Sequence, residues 1–181
     1  MEMKKLSQSA KKNLLSKARA FCKSGDYVVG DQLAEMLKNE NCREIVAAIV
    51  DGDDLSNAFM KAGELNHVIL IEAFLDRGIN IDVKDRYGYT ALIAATESGN
   101  EQSVELLLRN HTSIDIQTNY GWTALMNASS SGKKEIVQLL LNHNADTDLK
   151  NNDDQTAIDL SRNQEIKEMI RNHVNTSYVL K

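Results

Sequence analysis

The run Ser131-Gly132-Lys133-Lys134 offers the glycine and lysine of a phosphate-binding loop. A true loop of that kind also needs an upstream glycine, so that successive backbone amides can cradle the phosphate, and it is missing here. Asp51-Gly52-Asp53-Asp54 gathers carboxylates of the kind that hold calcium. The twelve-residue ligand spacing and the closing glutamate are absent, and Asp53 or Asp54 as a helix N-cap is the simpler expectation. His67, His111, His143 and His173 are scattered without metal-ligand spacing and are expected at loops or helix ends. Cys22 and Cys42 form no C-x-x-C pair and are expected as buried free thiols in a reducing compartment. With no nucleophile–base pair or metal cluster in view, the expectation is a protein without catalytic residues, metal or cofactor.

The elements that carry these residues repeat. Asp85-Arg86-Tyr87-Gly88-Tyr89-Thr90-Ala91-Leu92 returns as Thr118-Asn119-Tyr120-Gly121-Trp122-Thr123-Ala124-Leu125. The pairs Tyr87/Tyr120, Gly88/Gly121, Thr90/Thr123, Leu92/Leu125 and Gly99/Gly132 are each 33 residues apart, and Thr156-Ala157-Ile158 continues the phase. Each unit opens on a turn whose glycine supplies an unusual φ. A threonine then offers its hydroxyl to the free amides of a short, alanine-rich helix. Gly99 or Gly132 is expected to end that helix in the left-handed conformation. A second helix follows with aliphatics at helical spacing: Val104, Leu107 and Leu108, then Ile136, Val137, Leu140 and Leu141. Such a pair cannot cover its own apolar side and must stack on neighbours. Gly132 in the lysine run is thereby explained as a helix terminator.

The pattern resembles the ankyrin repeat, D-x-x-G-x-T-P-L-H-x-A over 33 residues, across about residues 53–173. Ala91, Ala124 and Ala157 stand where the family has proline, and Ile93 and Met126 where it has histidine. His111 and Asn144 replace the glycine after the second helix, and both residue types tolerate positive φ. The resemblance implies an all-α solenoid with short β-hairpin-like turns. Repeats are expected at about 53–84, 85–117, 118–150 and 151–173, with 174–181 as a tail. In the first of them Leu55–Gly63 and Val68–Leu75 read as the two helices, closed by Gly78. Gly63 to Gly78 spans fifteen residues against twelve in the next units, so three extra residues near Glu64–His67 lengthen either the loop or a helix. Gln155–Asn163 and Gln164–His173 read as a polar closing repeat.

Residues 1–52 do not repeat cleanly and read as a helical N-terminal cap. Leu6, Ala10, Leu14, Ala18, Phe21 and Cys22 share one helical face. Asp31 looks like the N-cap of Gln32–Lys38, and Arg43–Val50 resembles the second helix of a worn repeat. Residues 1–24 carry seven basic side chains and one acid, leaving fourteen basic and twenty-five acidic residues in the rest. A basic amphipathic helix also suits an anionic membrane surface or partner, and its acid-poor, lysine-rich look is that of an organellar presequence. The structural cap is the preferred reading. The acidic remainder argues against nucleic acid, the longest apolar run, Ile45–Val50, is too short to span a bilayer, and no secretory signal is recognisable.

Members of the resembling family bind partners through the hairpin tips and the exposed side of the first helices. Carried over position by position, that face is Arg86, Tyr87, Tyr89, Glu97 and Ser98, then Asn119, Tyr120, Trp122, Ser130 and Ser131, then Asn152, Asp153 and Gln155. Four of the chain's aromatics fall at equivalent places in two adjacent units, and aromatics with a polar handle often anchor interfaces. The resemblance therefore implies a non-enzymatic, monomeric, cytoplasmic binder of another protein: an adaptor, a regulator or an immunity-type inhibitor. The alternatives are a host-directed bacterial effector and a scaffold recruited to membranes by the basic helix. Absence of proline and abundance of asparagine fit an AT-rich, bacterial genome.

Overall fold

A computed structural model describes residues 8–38 and 53–179, with side chains placed within 12–37 and 55–173. Leu6 and the expected helix Arg43–Val50 lie outside the described residues. Ten helices and no strand occur among them. They are α1 (Gln8–Ser24), α2 (Tyr27–Lys38), α3 (Asp53–Glu64), α4 (Val68–Asp76) and α5 (Ala91–Ser98). Then come α6 (Glu101–Arg109), α7 (Ala124–Ser130), α8 (Lys134–Asn142), α9 (Ala157–Leu160) and α10 (Gln164–Val179). Odd-numbered helices pack on one another in chain order to form one layer, and even-numbered helices form a second. The core lies between the layers and runs the length of the stack.

Small side chains set the spacing of the first layer. Ala58, Ala91, Ala124 and Ala157 are buried at 33-residue intervals, as are Ala62, Ala95 and Ala128. Without long side chains between them, neighbouring first helices come close. At Gly63 a Cβ would sit 2.8 Å from the Ala91 carbonyl oxygen. The second layer supplies the bulk: Leu70, Ile71 and Phe74, then Val104 and Leu107, then Ile136, Val137 and Leu140, all buried. Ile93 and Met126, which depart from the family pattern, are each 1% exposed and belong to this core.

Helix ends follow the 33-residue phase. Thr90 Oγ1 accepts from the Ile93 amide at 3.3 Å and Thr123 Oγ1 from the Met126 amide at 3.2 Å. Thr156 instead gives its amide and hydroxyl to the Asp159 carboxylate, at 3.0 and 2.6 Å. Gly99 and Gly132 are left-handed, with φ of 81° and 70°. The first repeat corrects one reading. Helix α3 runs through Gly63, and the left-handed residue is Asn66, φ 58°, which stands 33 before Gly99. Gly78, His111 and Asn144 close the second helices at φ of 77°, 60° and 61°. No residues are inserted between the helices of the first repeat; its terminator is an asparagine and the nearby glycine serves close packing.

The N-terminal pair α1 and α2 stacks as a further unit, α1 on α3 and α2 on α4. Gly25, φ 62°, turns between them as Asn66 turns between α3 and α4. Leu14, Ala18 and Phe21 are buried as expected. Asp31 is not a cap: α2 begins four residues earlier, and Asp26 Oδ1 accepts from the Val28 amide at 2.8 Å. Asp53 and Asp54 are the first described residues of α3. At the other end α9 is a single turn that stops at Leu160, short of the expected Asn163, and α10 continues past His173 to Val179. The position 33 after Gly132 is Glu165, already inside α10, so the closing unit has no room for a full first helix.

Candidate partner-binding face

Three hairpin-like tips project from the stack at residues 85–89, 118–122 and 151–155, built the same way from different side chains. Asp85 Oδ1 accepts from the amides of Tyr87 and Tyr89, both at 2.8 Å. Thr118 Oγ1 accepts from Tyr120 and Trp122 at 3.3 and 3.2 Å, and Asn151 Oδ1 from Asp153 and Gln155 at 3.0 and 2.9 Å. The left-handed position is Gly88, Gly121 and then Asp154, with φ of 81°, 77° and 62°. Each tip is fastened to the next. The Asn119 amide donates to the Tyr87 carbonyl at 2.9 Å, and the Asn152 amide to the Tyr120 carbonyl at 3.1 Å. Asn119 Nδ2 reaches the Arg86 carbonyl and Asn152 Nδ2 the Asn119 carbonyl, at 2.9 and 3.0 Å. With their polar backbone groups satisfied inward and sideways, the tips hold the side chains of Tyr87 and Tyr120 outward, 47% and 65% exposed.

Below the first two tips a groove of about 750 Å³ opens along the first-helix layer. Tyr87, Tyr89 and Tyr120 form its wall, and Glu97 and Ser98 of α5 its floor, together with Ala94. These five expected residues are thus brought together: Tyr87, Tyr89, Glu97, Ser98 and Tyr120. Arg86 lies outside, its guanidinium 4.7 Å above the Tyr87 ring. Trp122, half-buried, packs against the core and is not among the lining residues. Asn119 spends its side chain on joining tips. Ser130 and Ser131 are exposed at the end of α7, and Asp153 and Gln155 are exposed on the last tip.

The groove also contains residues that the sequence reading missed: Asn57, Met60, Lys61 and Glu64 of α3, with Cys22 of α1 and Asp85. Lys61 and Glu64 stand 33 before Ala94 and Glu97. Aligning the first repeat on Asn66 makes Glu64 the counterpart of Glu97, whereas aligning on Gly63 displaces every position by three. Lys61 is paired with Glu64, so the lining presents one lysine against three carboxylates. The Tyr89 hydroxyl is held above its ordinary range, first by burial and then by the charges of Glu97 and Asp85.

Three of the residues with apparent chemistry make structural contacts. Gly132 terminates α7 and Lys134 pairs with Glu165 of α10. His67 is 3% exposed and caps α4, its Nδ1 accepting from the Leu70 amide at 3.3 Å. Its ring stacks on Tyr27 at 4.9 Å and meets the Phe21 edge at 5.8 Å. Among the described residues no group of three or more His, Cys, Asp or Glu is placed to hold a metal ion. No helix among them is long and apolar enough to cross a membrane.

Stacked helix pairs, periodic tips and an open groove define a helical-repeat solenoid. The chain belongs to the ankyrin-repeat family: the family model for ankyrin repeats, three copies, matches residues 32–119 and 103–176. Ankyrin repeats are in general protein–protein interaction modules and typically non-enzymatic. No curated protein sequence matches the chain.

Proposed function

We propose that this protein binds another protein in the groove beneath its first two tips, as an adaptor, regulator or immunity-type inhibitor acting in the cytoplasm. The observation that carries this reading is the convergence of Tyr87, Tyr89 and Tyr120 on one groove. Their backbones are fixed by tip-to-tip hydrogen bonds. Rigid aromatic anchors around a preformed concavity are what a stable interface needs, because little ordering entropy remains to be lost on binding. Trp122 is expected to contribute more to packing than to contact.

Membrane recruitment through α1 is disfavoured, since Leu14, Ala18 and Phe21 of its apolar face are buried in the stack. The test is a pull-down from lysate of the source organism by immobilised wild type, Tyr120→Ala and Trp122→Ala. A partner kept by wild type and lost by Tyr120→Ala, at unchanged thermal midpoint, supports the groove. A partner retained by Tyr120→Ala at full yield removes it. Loss of thermal stability in Trp122→Ala assigns that ring to packing. A partner found only in lysate of a host cell would favour the effector reading.

A further inference from the structure

We propose that the groove accepts a lysine or arginine side chain carried by an extended basic segment of the partner protein. This rests on the reading of the groove as the binding face and adds the chemistry of its occupant. Three features of the groove point to a cation. Its carboxylates Glu64, Asp85 and Glu97 outnumber its single lysine, and that lysine is already paired with Glu64. Its wall presents tyrosine rings, whose faces attract ammonium and guanidinium groups. Glu97 lies on the open side of α5 and is exposed, so its carboxylate is within reach of an incoming cation.

Size and long-range charge agree with this occupant. A volume of about 750 Å³ is far less than a globular surface would fill and suits a few residues with one long side chain. Beyond residue 24 the chain holds twenty-five acids against fourteen bases, a field that draws basic partners and repels acidic ones. The exposed Arg86 stacked on Tyr87 at 4.7 Å shows a guanidinium resting on one of these rings within the chain itself.

The experiment is selection of a displayed random decapeptide library on the immobilised full-length protein. The recovered peptides are then synthesised and titrated against wild type, Glu97→Gln and Tyr120→Ala. Gln removes the charge at nearly unchanged size, and Glu97 and Tyr120 are both exposed, so both variants should retain the wild-type thermal midpoint. The expected result is a shared Lys or Arg in the recovered peptides. Their affinity should fall at least about tenfold for Glu97→Gln, the size expected when a charged hydrogen-bond partner is neutralised. Replacing that Lys or Arg by Gln should cost as much, and the two losses should not add. Peptides that need Tyr120 but share no basic residue would overturn the basic occupant and leave the groove standing. Peptides indifferent to Tyr120→Ala would overturn the groove as well. Failure to recover any peptide overturns an extended segment as occupant, while the pull-down still decides the face.

Discussion

In the central repeats the contacts that join neighbours recur every 33 residues, whereas among the described residues of the N-terminal cap none of them recurs. Tips 85–89, 118–122 and 151–155 are linked by backbone amides and paired asparagines in one phase. The cap is held by individual side chains. His67 stacks on Tyr27 and Phe21, the Tyr27 hydroxyl donates to the Leu65 carbonyl, and Arg77 Nε donates to the Leu37 carbonyl. Gly30 leaves space for the histidine ring; a Cβ there would lie 2.4 Å from His67 Nε2. A periodic interface spreads its stability over equivalent contacts, while a capping interface concentrates it in a few. The groove draws on both, with walls from the periodic tips and one end, through Cys22, from α1.

Phe21→Ala is the largest expected break in that comparison. A wholly buried aromatic removed from the cap should lower stability by about 3–5 kcal/mol and release α1 and α2 at lower urea than the repeats. Two steps in far-UV circular dichroism, the first accounting for the helices of the cap, would show it. A single transition displaced as a whole would mean that cap and repeats are one cooperative unit.

A pair of aspartates 33 residues apart sharpens the comparison within the periodic part. Asp82 Oδ1 accepts from the Thr112 hydroxyl at 2.8 Å and the Ser113 amide at 2.9 Å, and its other oxygen takes the Ser113 hydroxyl. Burial works against its charge, but the donors of Ser113 and Thr112, with Lys84, outweigh it and hold the carboxyl below its usual range. Asp115 has the same place in the next repeat and the single amide of Asp146. Burial, with the Asp146 charge, pushes it up. Asp82 therefore stabilises the fold above its unfolded pKa and loses that contribution as pH falls through its lower folded value. Asp115 opposes folding once pH exceeds its raised folded value and ceases to do so below the unfolded one. Asp82→Asn should cost on the order of 1 kcal/mol at pH 7, a penalty kept small by solvent screening. That penalty should fade on acidification below pH ~4. Asp115→Asn should be neutral or slightly stabilising at pH 7. Urea titrations at pH 7 and pH 3 compare them, and equal penalties for both would refute the assignment.

Thr96→Val carries the smallest expected effect. Thr96 Oγ1 and, 33 residues on, Ser129 Oγ are buried without a hydrogen-bond partner. Replacing the hydroxyl by a methyl of similar shape should leave stability unchanged or raise it by up to about 1 kcal/mol. A rise in thermal midpoint supports an unsatisfied hydroxyl; a clear fall would show that it has a partner.

What was legible in the sequence follows the same division. The central repeats could be read because glycine and threonine occupy positions that few other residues satisfy as well, and their spacing repeats. Asn66 does not stand out because asparagine in a left-handed turn looks like any polar loop residue, with Gly63 three places away as a decoy. That decoy displaces Glu64 from its counterpart Glu97. The start of α2 is hidden in the sequence because Tyr27, Val28 and Val29 favour helix weakly and Gly30 interrupts them. The rings of His67, far along the chain, and Phe21 explain the glycine. Trp122 and Tyr120 are both aromatic on one tip; which faces outward depends on whether the ring follows or precedes the turn glycine, a matter of direction rather than type.

The most direct test of the central claim is amide hydrogen exchange of the full chain, free and saturated with the partner that the pull-down recovers. Binding in the groove predicts added protection in α3, α5 and the tips at 85–89 and 118–122. A second groove, of about 460 Å³, lies between even-numbered helices and is lined by Glu105, Gln138 and Met169. Protection confined to α6 and α8, with the tips unchanged, would place the partner there and contradict the account.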